Sequence, residues 1–279
     1  MSIELPEAKI LTDQMNQQVL GKYVESCQTH ESKGLQRIGM LESDLTVFNQ
    51  LVGAKIEQAV SRGNVIVVKF DNKMDIVIGL EYGGELFYHK NSNDVSRFHL
   101  KINFTDNTAL TIRLTGMGVI QLLKDDSLEN SYVYKRDFDF TKLSSLDNDF
   151  TIQRFSKMFS QLNKALKTAL VGKDAIVVGI SNSTFQDILY RARLNPKRKA
   201  SGLSEDEIQR LFDTIKFVVT KRIKLNGKEH FQDIYQKHGK YIPSMGPNMK
   251  DQKCPECGTT IQKLSYGGGH IYLCPSCQA

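Results

Sequence analysis

The period at which apolar residues recur changes twice along the chain, and these changes divide it into three parts. Residues 6–20 carry apolar side chains at helical spacing, with Pro6 and Glu7 placed where they suit the first turn of a helix. From residue 22 to about residue 120 the period is two, and from residue 151 it is helical again. The pattern predicts a terminal helix, then a strand-rich region, then a helical region.

The strand-rich region contains short segments in which apolar and polar residues alternate. Turn-forming sequences such as Asp71-Asn72-Lys73 and Gly83-Gly84 separate these segments. Short strands with turns at regular spacing favour a β-sandwich or a barrel. The predicted strands are 22–28, 55–60, 64–70, 74–80, 85–89, 98–104 and 109–114.

The helical region follows a polar and acidic stretch, residues 121–150, which predicts a linker and a domain boundary. We expect one apolar helix face over residues 152–170 and a second helix that begins near Ser183. Ser204 and Glu207 form a capping box that opens a third helix. A basic turn separates the second helix from the third, so the pair is a candidate helix–two-turn–helix motif.

The composition is typical of a globular protein. The 279 residues are enough for two domains and a small third one, and 40% of them are hydrophobic. No window approaches the run of about 20 apolar residues that a membrane helix needs, and the first residues lack the apolar core of a signal peptide. The net charge of +6 favours an anionic partner, although charge alone is weak evidence. We expect a cytoplasmic protein with no membrane partner.

Four cysteines lie in the last part of the chain, as two C-x-x-C pairs. Cys254 and Cys257 form the first pair, Cys274 and Cys277 form the second, and the stretch between them is long enough for two short strands. Two disulfides or free thiols are the alternatives, but the remaining cysteine, Cys27, leaves no even disulfide set. We expect one structural Zn²⁺, without a catalytic role because protein thiolates fill all four positions.

Three separated motifs occur in an order that one family shares. ELPE stands at residues 4–7, GISN stands at residues 179–182, and the four-cysteine segment closes with CPSCQ at residues 274–278. In this order, and at nearly full length, the chain resembles the formamidopyrimidine-DNA glycosylase / endonuclease VIII family. Each motif alone is weak evidence, whereas the three together with a strand-rich region between the first two are fairly specific.

The resemblance implies an α+β multidomain fold. We expect an N-terminal β-sandwich with a terminal helix over residues 1–135, a helix–two-turn–helix domain over residues 145–240, and a zinc finger over residues 241–279. It also implies a DNA glycosylase of base-excision repair, with or without AP lyase activity, that acts on a flipped-out damaged base. The implied partner is double-stranded DNA that contains damaged bases or abasic sites, so we expect a nucleoid-associated monomer.

The catalytic residues implied by the resemblance match this chain only in part. The family usually starts with a proline directly before the glutamate, and the proline amine forms a Schiff base with the sugar C1′. Here Glu4 and Glu7 match the carboxylates, whereas Ile3 occupies the proline position. Removal of Met1 would expose the Ser2 amine, which lies one residue further out, a shift of up to about 3.6 Å. Alternatively, Glu4 or Glu7 orients a water molecule for hydrolysis.

Three candidate DNA contacts depart from the family pattern. Asn64 follows the Arg-Gly pair where the family has a lysine, and it cannot supply the positive charge. Met117 lies in the loop that usually inserts arginine and phenylalanine, so it is a candidate wedge or an ordinary loop methionine. His270 lies beside the glycine that replaces the arginine of the zinc-finger loop, and it is a candidate phosphate contact.

Three further candidate DNA contacts lie in the helical region. Asn182 is expected at a helix start, where an amide side chain and free backbone N–H groups suit a DNA phosphate. The alternative for Asn182 is an ordinary helix cap. Lys197 and Arg198 would add phosphate charge, although an ordinary solvated turn explains them as well.

The departures from the family pattern leave two other functions open. One is a protein of the same fold that binds lesions or abasic sites without cutting. The other is a zinc-ribbon module that binds RNA or another protein.

Overall fold

The structure is a computed structural model, and it forms two compact units. The first unit consists of Met1–Asp139 with Leu225–Lys240, and the second consists of Phe140–Lys224 with Tyr241–Ala279. Residues 225–240, predicted to belong to the helical domain, therefore lie in the first unit, while the other predicted boundaries stay predictions. The structure describes residues 3–30, 32–80, 83–93, 95 and 97–278. In this part of the chain, no helix is long and apolar enough to cross a bilayer.

The first unit is a β-sandwich with a helix at its N-terminal end. In the described residues its elements are α1 (Leu5–Gln18), β1 (Val24–Thr29), α2 (Lys33–Arg37), β2 (Ile56–Arg62), β3 (Val65–Phe70), β4 (Met74–Gly79), β5 (Gly84–His89), β6 (Leu100–Phe104), β7 (Ala109–Leu114), β8 (Val119–Lys124) and α3 (Tyr132–Asp137). These strands form two antiparallel four-stranded sheets with the strand orders β1-β6-β7-β5 and β2-β3-β4-β8. Buried aliphatic residues from both sheets form the core.

Each of the predicted strand segments coincides with one of the strands β1 to β7. The prediction of a linker over residues 121–150 is wrong in its first part, because β8 and α3 lie there. β8 pairs with β4 along its whole length. Only Ile120 and Leu122 of β8 are buried, so its alternation is too short to stand out from the acidic residues that follow.

The β2–β3 turn, the β7–β8 loop and the start of α1 all lie at one end of the β2-β3-β4-β8 sheet. Gly79, the last residue of β4, pairs with the first residue of β3 on one side and the first residue of β8 on the other. The β2–β3 turn with Asn64 and the β7–β8 loop with Met117 therefore lie at the same end of this sheet. Leu80 follows Gly79, and its carbonyl accepts a hydrogen bond of 3.1 Å from the Ile3 N–H, which fixes the start of α1 there.

Within residues 140–224 and 241–278, the second unit contains four α-helices and a two-stranded antiparallel hairpin. These elements are α4 (Ile152–Ser160), α5 (Leu166–Leu170), α6 (Asn182–Arg191), α7 (Glu205–Lys224), β9 (Gln262–Tyr266) and β10 (Gly269–Leu273). The single helix face expected over residues 152–170 is interrupted, because α4 ends at residue 160. The backbone between α4 and α5 pairs instead with a neighbouring segment, since the Leu166 N–H donates to the Arg198 carbonyl (2.8 Å) and the Ala200 N–H donates to the Lys164 carbonyl (2.9 Å).

Side-chain caps explain where α6 and α7 begin. Ser181 is the N-cap of α6, and its Oγ accepts a hydrogen bond from the Ser183 N–H. The predicted capping box of α7 is confirmed, because the Ser204 N–H donates to Glu207 Oε2 (2.8 Å) and the Glu207 N–H donates to Ser204 Oγ (3.3 Å). The cap of α7 thus fixes the end of the basic turn that lies between the two helices.

Candidate active site and metal centre

The four cysteines of the second unit converge on one point. Their Sγ atoms all lie within 4.8 Å of one another, with 3.8 Å between Cys254 and Cys277 and 3.4 Å between Cys257 and Cys274. A tetrahedral zinc with Zn–S bonds of about 2.3 Å places its sulfurs about 3.8 Å apart. All cysteines of the chain lie among the described residues, and none forms a disulfide. The geometry fits one structural zinc, as predicted.

Residues around the cysteines connect the metal centre to the helical part of the second unit. The Tyr190 hydroxyl on α6 lies 3.3 Å from Cys254 Sγ. The side chain of Gln278 accepts from the Cys274 N–H (2.9 Å) and donates to the Leu194 carbonyl (3.0 Å). Such contacts orient thiolate ligands and stabilise the metal site, so zinc binding and the folding of this region are coupled.

Two side chains of the helical part, Lys167 and Gln186, bind the backbone of the β9–β10 hairpin. Lys167 Nζ donates to the Tyr266 carbonyl (2.6 Å). Gln186 accepts from the Tyr272 N–H (2.7 Å) and donates to the His270 carbonyl (3.4 Å). Burial lowers the pKa of the Lys167 ammonium. The sequence does not reveal this role of Lys167, because its partner lies 99 positions away.

Two candidate DNA contacts, Asn182 and His270, are brought together by the structure. Asn182 is the first residue of α6, and its Nδ2 donates to the His270 carbonyl at 2.7 Å. Its Oδ1 is buried and has no hydrogen-bond partner in the described part of the chain. The His270 ring is exposed and lies 3.3 Å from the Ser265 hydroxyl. The Asn182 side chain thus positions the hairpin, and its role toward DNA stays a prediction.

The two candidate cations of the basic turn, Lys197 and Arg198, differ in their surroundings. Lys197 is exposed, and its backbone N–H donates to Asn195 Oδ1. Arg198 forms an ion pair with Glu207 and donates to the Gly202 carbonyl at 2.9 Å. Hydrogen bonds from the Arg198 guanidinium hold the pKa of the Glu207 carboxyl below its ordinary value. The Lys197 ammonium is therefore the better placed of the two for a phosphate.

The remaining two candidate DNA contacts lie in the first unit. Met117 is 57% exposed in the β7–β8 loop. Asn64 donates its backbone N–H to Asp137 Oδ2 at 2.8 Å, and its Oδ1 is buried without a partner among the described residues. The buried Arg62 guanidinium binds the carbonyls of Asp137 and Asp139. The Arg-Gly-Asn turn is thus held by the last residue of α3 and by Asp139 after it. The roles of Asn64 and Met117 toward DNA stay predictions.

Glu4 and Glu7 form a buried carboxylate pair at the start of α1. Both residues are fully buried. Glu4 is the N-cap of α1, and the two residues form a reciprocal capping box in which the Glu4 N–H donates to Glu7 Oε2 (3.2 Å). Ile3, at the position of the family proline, is buried, and its nitrogen is a hydrogen-bonded amide. The candidate Ser2 lies outside the described residues.

A lysine that the sequence did not single out faces this carboxylate pair. Lys228 Nζ lies 4.0 Å from Glu4 Oε2, and the Lys228 N–H donates to Glu7 Oε1 at 3.2 Å. The residues around position 228 show no clear period, so sequence patterns alone did not place them near α1. The Asn226-Gly227 pair after the long helix α7 was the one local indication of a sharp turn.

Two glycines allow the Lys228 segment to approach α1 closely. Gly227 has φ +85°, and a Cβ there would lie 2.5 Å from Phe231 and 3.2 Å from Glu7 Cγ. A Cβ at Gly239 would lie 2.3 Å from the carbonyl oxygens of Gly227 and Lys228. Only glycine fits such contacts, so this segment is shaped to lie against the carboxylate pair.

Family models and known proteins match nearly the whole chain. The model of the formamidopyrimidine-DNA glycosylase N-terminal domain matches residues 3–115, that of the H2TH domain matches residues 143–233, and that of the zinc finger found in FPG and IleRS matches residues 251–279. Formamidopyrimidine-DNA glycosylases of Bacillus cereus and Streptococcus mutans are each 25% identical to this chain, over 295 and 291 residues. Both alignments cover 99% of this chain and 98% of the relative.

Solved structures show the same fold. The Lactococcus lactis formamidopyrimidine-DNA glycosylase bound to DNA with an abasic site matches with a TM-score of 0.82 at 22% identity, and its complex with DNA containing an N7-benzyl formamidopyrimidine lesion matches with 0.84 at 22%. Each comparison covers 99% of both chains. The three domain models occur in family order on a β-sandwich, a helical domain and a four-cysteine centre, and the chain therefore belongs to the formamidopyrimidine-DNA glycosylase family.

Proposed function

We propose that this protein is a DNA glycosylase that removes a damaged base from double-stranded DNA in base-excision repair. The observation that carries the proposal is the buried Glu4–Glu7 pair at the start of α1, in a chain of this family. Such an enzyme acts in the cytoplasm on nucleoid DNA, and we propose that it acts as a monomer.

The carboxylate pair has the properties of an acid–base group. Glu4 is held by the first turn of α1 and by the Lys228 ammonium, so its carboxylate keeps one position. A fixed carboxylate can protonate a leaving base or take a proton from a water molecule at the sugar C1′. Because the target base must leave the stack for this chemistry, the substrate is an extruded nucleotide.

The second unit supplies features that suit a DNA backbone. The exposed Lys197 ammonium and the exposed His270 ring provide contacts for phosphates. Asn182 begins α6, where backbone N–H groups point away from the helix toward an anion. The Lactococcus lactis relative is seen with DNA that contains abasic or formamidopyrimidine sites, and this supports the same substrate class here.

The test is base release from defined duplexes. Duplexes with one formamidopyrimidine, one oxidised base or one abasic site are incubated with the protein, and free base and strand scission are measured separately. We expect release from at least one duplex and its loss in Glu4→Gln. Glu57→Gln, at an exposed position of β2, serves as the control and keeps full activity. The absence of release from every duplex, or an active Glu4→Gln, would overturn the proposal.

A second candidate function is lesion binding without base release. The structure gives one observation in its favour: the nitrogen at the proline position is the Ile3 amide, which donates to the Leu80 carbonyl at 3.1 Å. An amide nitrogen is not a nucleophile, so the family's covalent route through this position is closed. Tight binding of the abasic duplex in the same experiment, with no release from any lesion, would support this function over the first.

A further inference from the structure

We propose that the Lys228 side-chain amine forms the covalent imine with C1′ of an abasic site, in place of the family's N-terminal proline. The inference rests on the proposed function, because it places an amine nucleophile in the site of a DNA glycosylase. It assigns AP lyase chemistry to a residue inside the chain.

The position of Lys228 carries the proposal. Its Nζ lies 4.0 Å from Glu4 Oε2, and its side chain is 12% exposed whereas the Glu4 side chain is fully buried. Part of the Lys228 side chain therefore reaches solvent, whereas the carboxylate beside it does not. An amine nucleophile paired with a carboxylate can attack a sugar while the carboxylate transfers protons.

Hydrogen bonds hold the backbone of Lys228, so its side chain extends from a fixed point. The Lys228 N–H donates to Glu7 Oε1 at 3.2 Å, and the Lys228 carbonyl accepts from the Phe231 N–H at 2.9 Å. Gly227 and Gly239 allow the close approach to α1. A catalytic side chain needs such support, because a displacement of about 1 Å can cost a factor of about 100 in rate.

The rest of the segment is also anchored to the first unit. Asp233 is buried, and its carboxylate accepts from Gln14 Nε2 of α1 (3.0 Å) and from Asn226 Nδ2 (2.9 Å). The Ile234 carbonyl accepts from the Tyr88 N–H of β5 (2.8 Å). The Leu225–Lys240 segment is thus part of the first unit, and it is not a free connection to the metal centre.

A cleft of about 120 Å³ opens beside Ile3, the residue that precedes Glu4. Its lining includes Ile3, Thr115, His230 and Phe231. It lies at the end of the sheet where α1 begins, and His230 and Phe231 follow Lys228 in the same segment. The cleft thus borders the residues that follow Lys228 and the residue that precedes Glu4.

The proposed step balances as an ordinary imine condensation. The Lys228 ammonium gives its proton to the Glu4 carboxylate, and the neutral Nζ attacks the C1′ aldehyde of the ring-opened abasic sugar. An N–C1′ bond forms as the C1′–oxygen double bond breaks, and Glu4 returns the proton to the C1′ oxygen. A second proton passes from Nζ through Glu4 to this oxygen, which leaves as water while the nitrogen lone pair forms the C=N bond. The protonated imine then loses a C2′ proton to a carboxylate, and the 3′-phosphate leaves with the electron pair of the C3′–O bond.

Borohydride trapping tests the proposal. The full chain is mixed with a duplex that contains one abasic site, the imine is reduced, and the adduct is quantified on a gel. We expect a trapped complex with the unchanged protein and a loss of at least tenfold with Lys228→Arg, since arginine keeps the charge but lacks a reactive amine. Lys237→Arg, at an exposed position of the same segment, is the matched control and traps as well as the unchanged protein.

Mass spectrometry of the trapped complex identifies the attached residue without any substitution. An adduct on Lys228 supports the proposal, whereas an adduct on the N-terminal residue or on another lysine overturns it. Full trapping by Lys228→Arg also overturns it, as does the absence of any adduct. Base release, measured in parallel, decides whether the glycosylase proposal fails as well or survives with water as the nucleophile.

Discussion

The Lys167 ammonium donates a hydrogen bond of 2.6 Å to the Tyr266 carbonyl, and thereby ties helix α5 to the tip of the β9–β10 hairpin. Lys167→Met keeps the apolar stem but leaves this carbonyl without its donor, so we expect a loss of about 1–3 kcal/mol in the free energy of unfolding of the second unit. Lys164→Met, at an exposed position, should change it by less than about 0.5 kcal/mol.

Urea unfolding and amide exchange of residues 262–273 measure the Lys167 effect. Faster exchange confined to the hairpin is the expected result. Equal exchange in Lys167→Met and in the unchanged protein would show that the hydrogen bond does not hold the hairpin.

The Arg198–Glu207 pair predicts an acid-sensitive step in stability. The pKa of Glu207 is lowered in the folded protein by hydrogen bonds from Arg198. The pair therefore stabilises the fold above the unfolded-state pKa, about 4.3, and this stability is lost as the pH falls through the folded-state pKa. Glu207→Gln should flatten the curve of stability against pH below about pH 4.5. Glu205→Gln, an exposed carboxylate of the same turn, should leave the curve unchanged.

Gly227 is predicted to be intolerant of a side chain. Gly227→Ala places a Cβ 2.5 Å from Phe231 and forces alanine to φ +85°, whereas Gly172 has φ +97° with open space around it. We expect Gly172→Ala to lose about 1 kcal/mol through its backbone alone and Gly227→Ala to lose about 1–3 kcal/mol more. Urea unfolding of both variants checks the difference, and equal losses would contradict the close packing against α1.

Lys197 and Arg198 should differ in their effect on DNA binding. The exposed Lys197 ammonium is available for a phosphate, so Lys197→Ala should reduce the slope of log Kd against log salt by about 0.9. Arg198 is occupied by Glu207, so Arg198→Ala should change this slope less. Fluorescence anisotropy with an abasic duplex at several salt concentrations measures both slopes. The reverse order would show that the ion pair opens on DNA.

Zinc should be required for the second unit and dispensable for the first. Cys274 is fully buried among the four thiols, so Cys274→Ser should lose the metal and weaken DNA binding. Metal analysis and protease protection of the β-sandwich check both effects. An unchanged DNA affinity without zinc would exclude the hairpin from the DNA site.

Local chemistry explains what the sequence could predict. Three predicted features depend on residues close in sequence, and the structure contains all of them. They are the strand alternation, the capping box of Ser204 and Glu207, and the two C-x-x-C pairs. The family motifs then placed Glu4 at the carboxylate site and Asn182 at the start of α6.

Long-range contacts explain what the sequence could not predict. The contacts of Lys167 with Tyr266 and of Lys228 with Glu4 each join residues that are far apart in sequence. Neither lysine belongs to a periodic pattern. Lys167 binds a backbone carbonyl and Lys228 faces the N-cap residue of α1, and contacts of these kinds leave no pattern in the sequence. β8 escaped prediction for a different reason, since its two buried residues are too few to show a period of two.

The Gln186 side chain also covers backbone groups at the edge of strand β10. A strand with unpaired N–H and C=O groups along one side invites pairing with another chain. The Gln186 amide binds the His270 carbonyl and the Tyr272 N–H, which are the groups that an added strand would use. This side chain imitates a peptide unit at the outer edge of β10, so it protects the metal-binding hairpin from joining a second copy in an extended sheet.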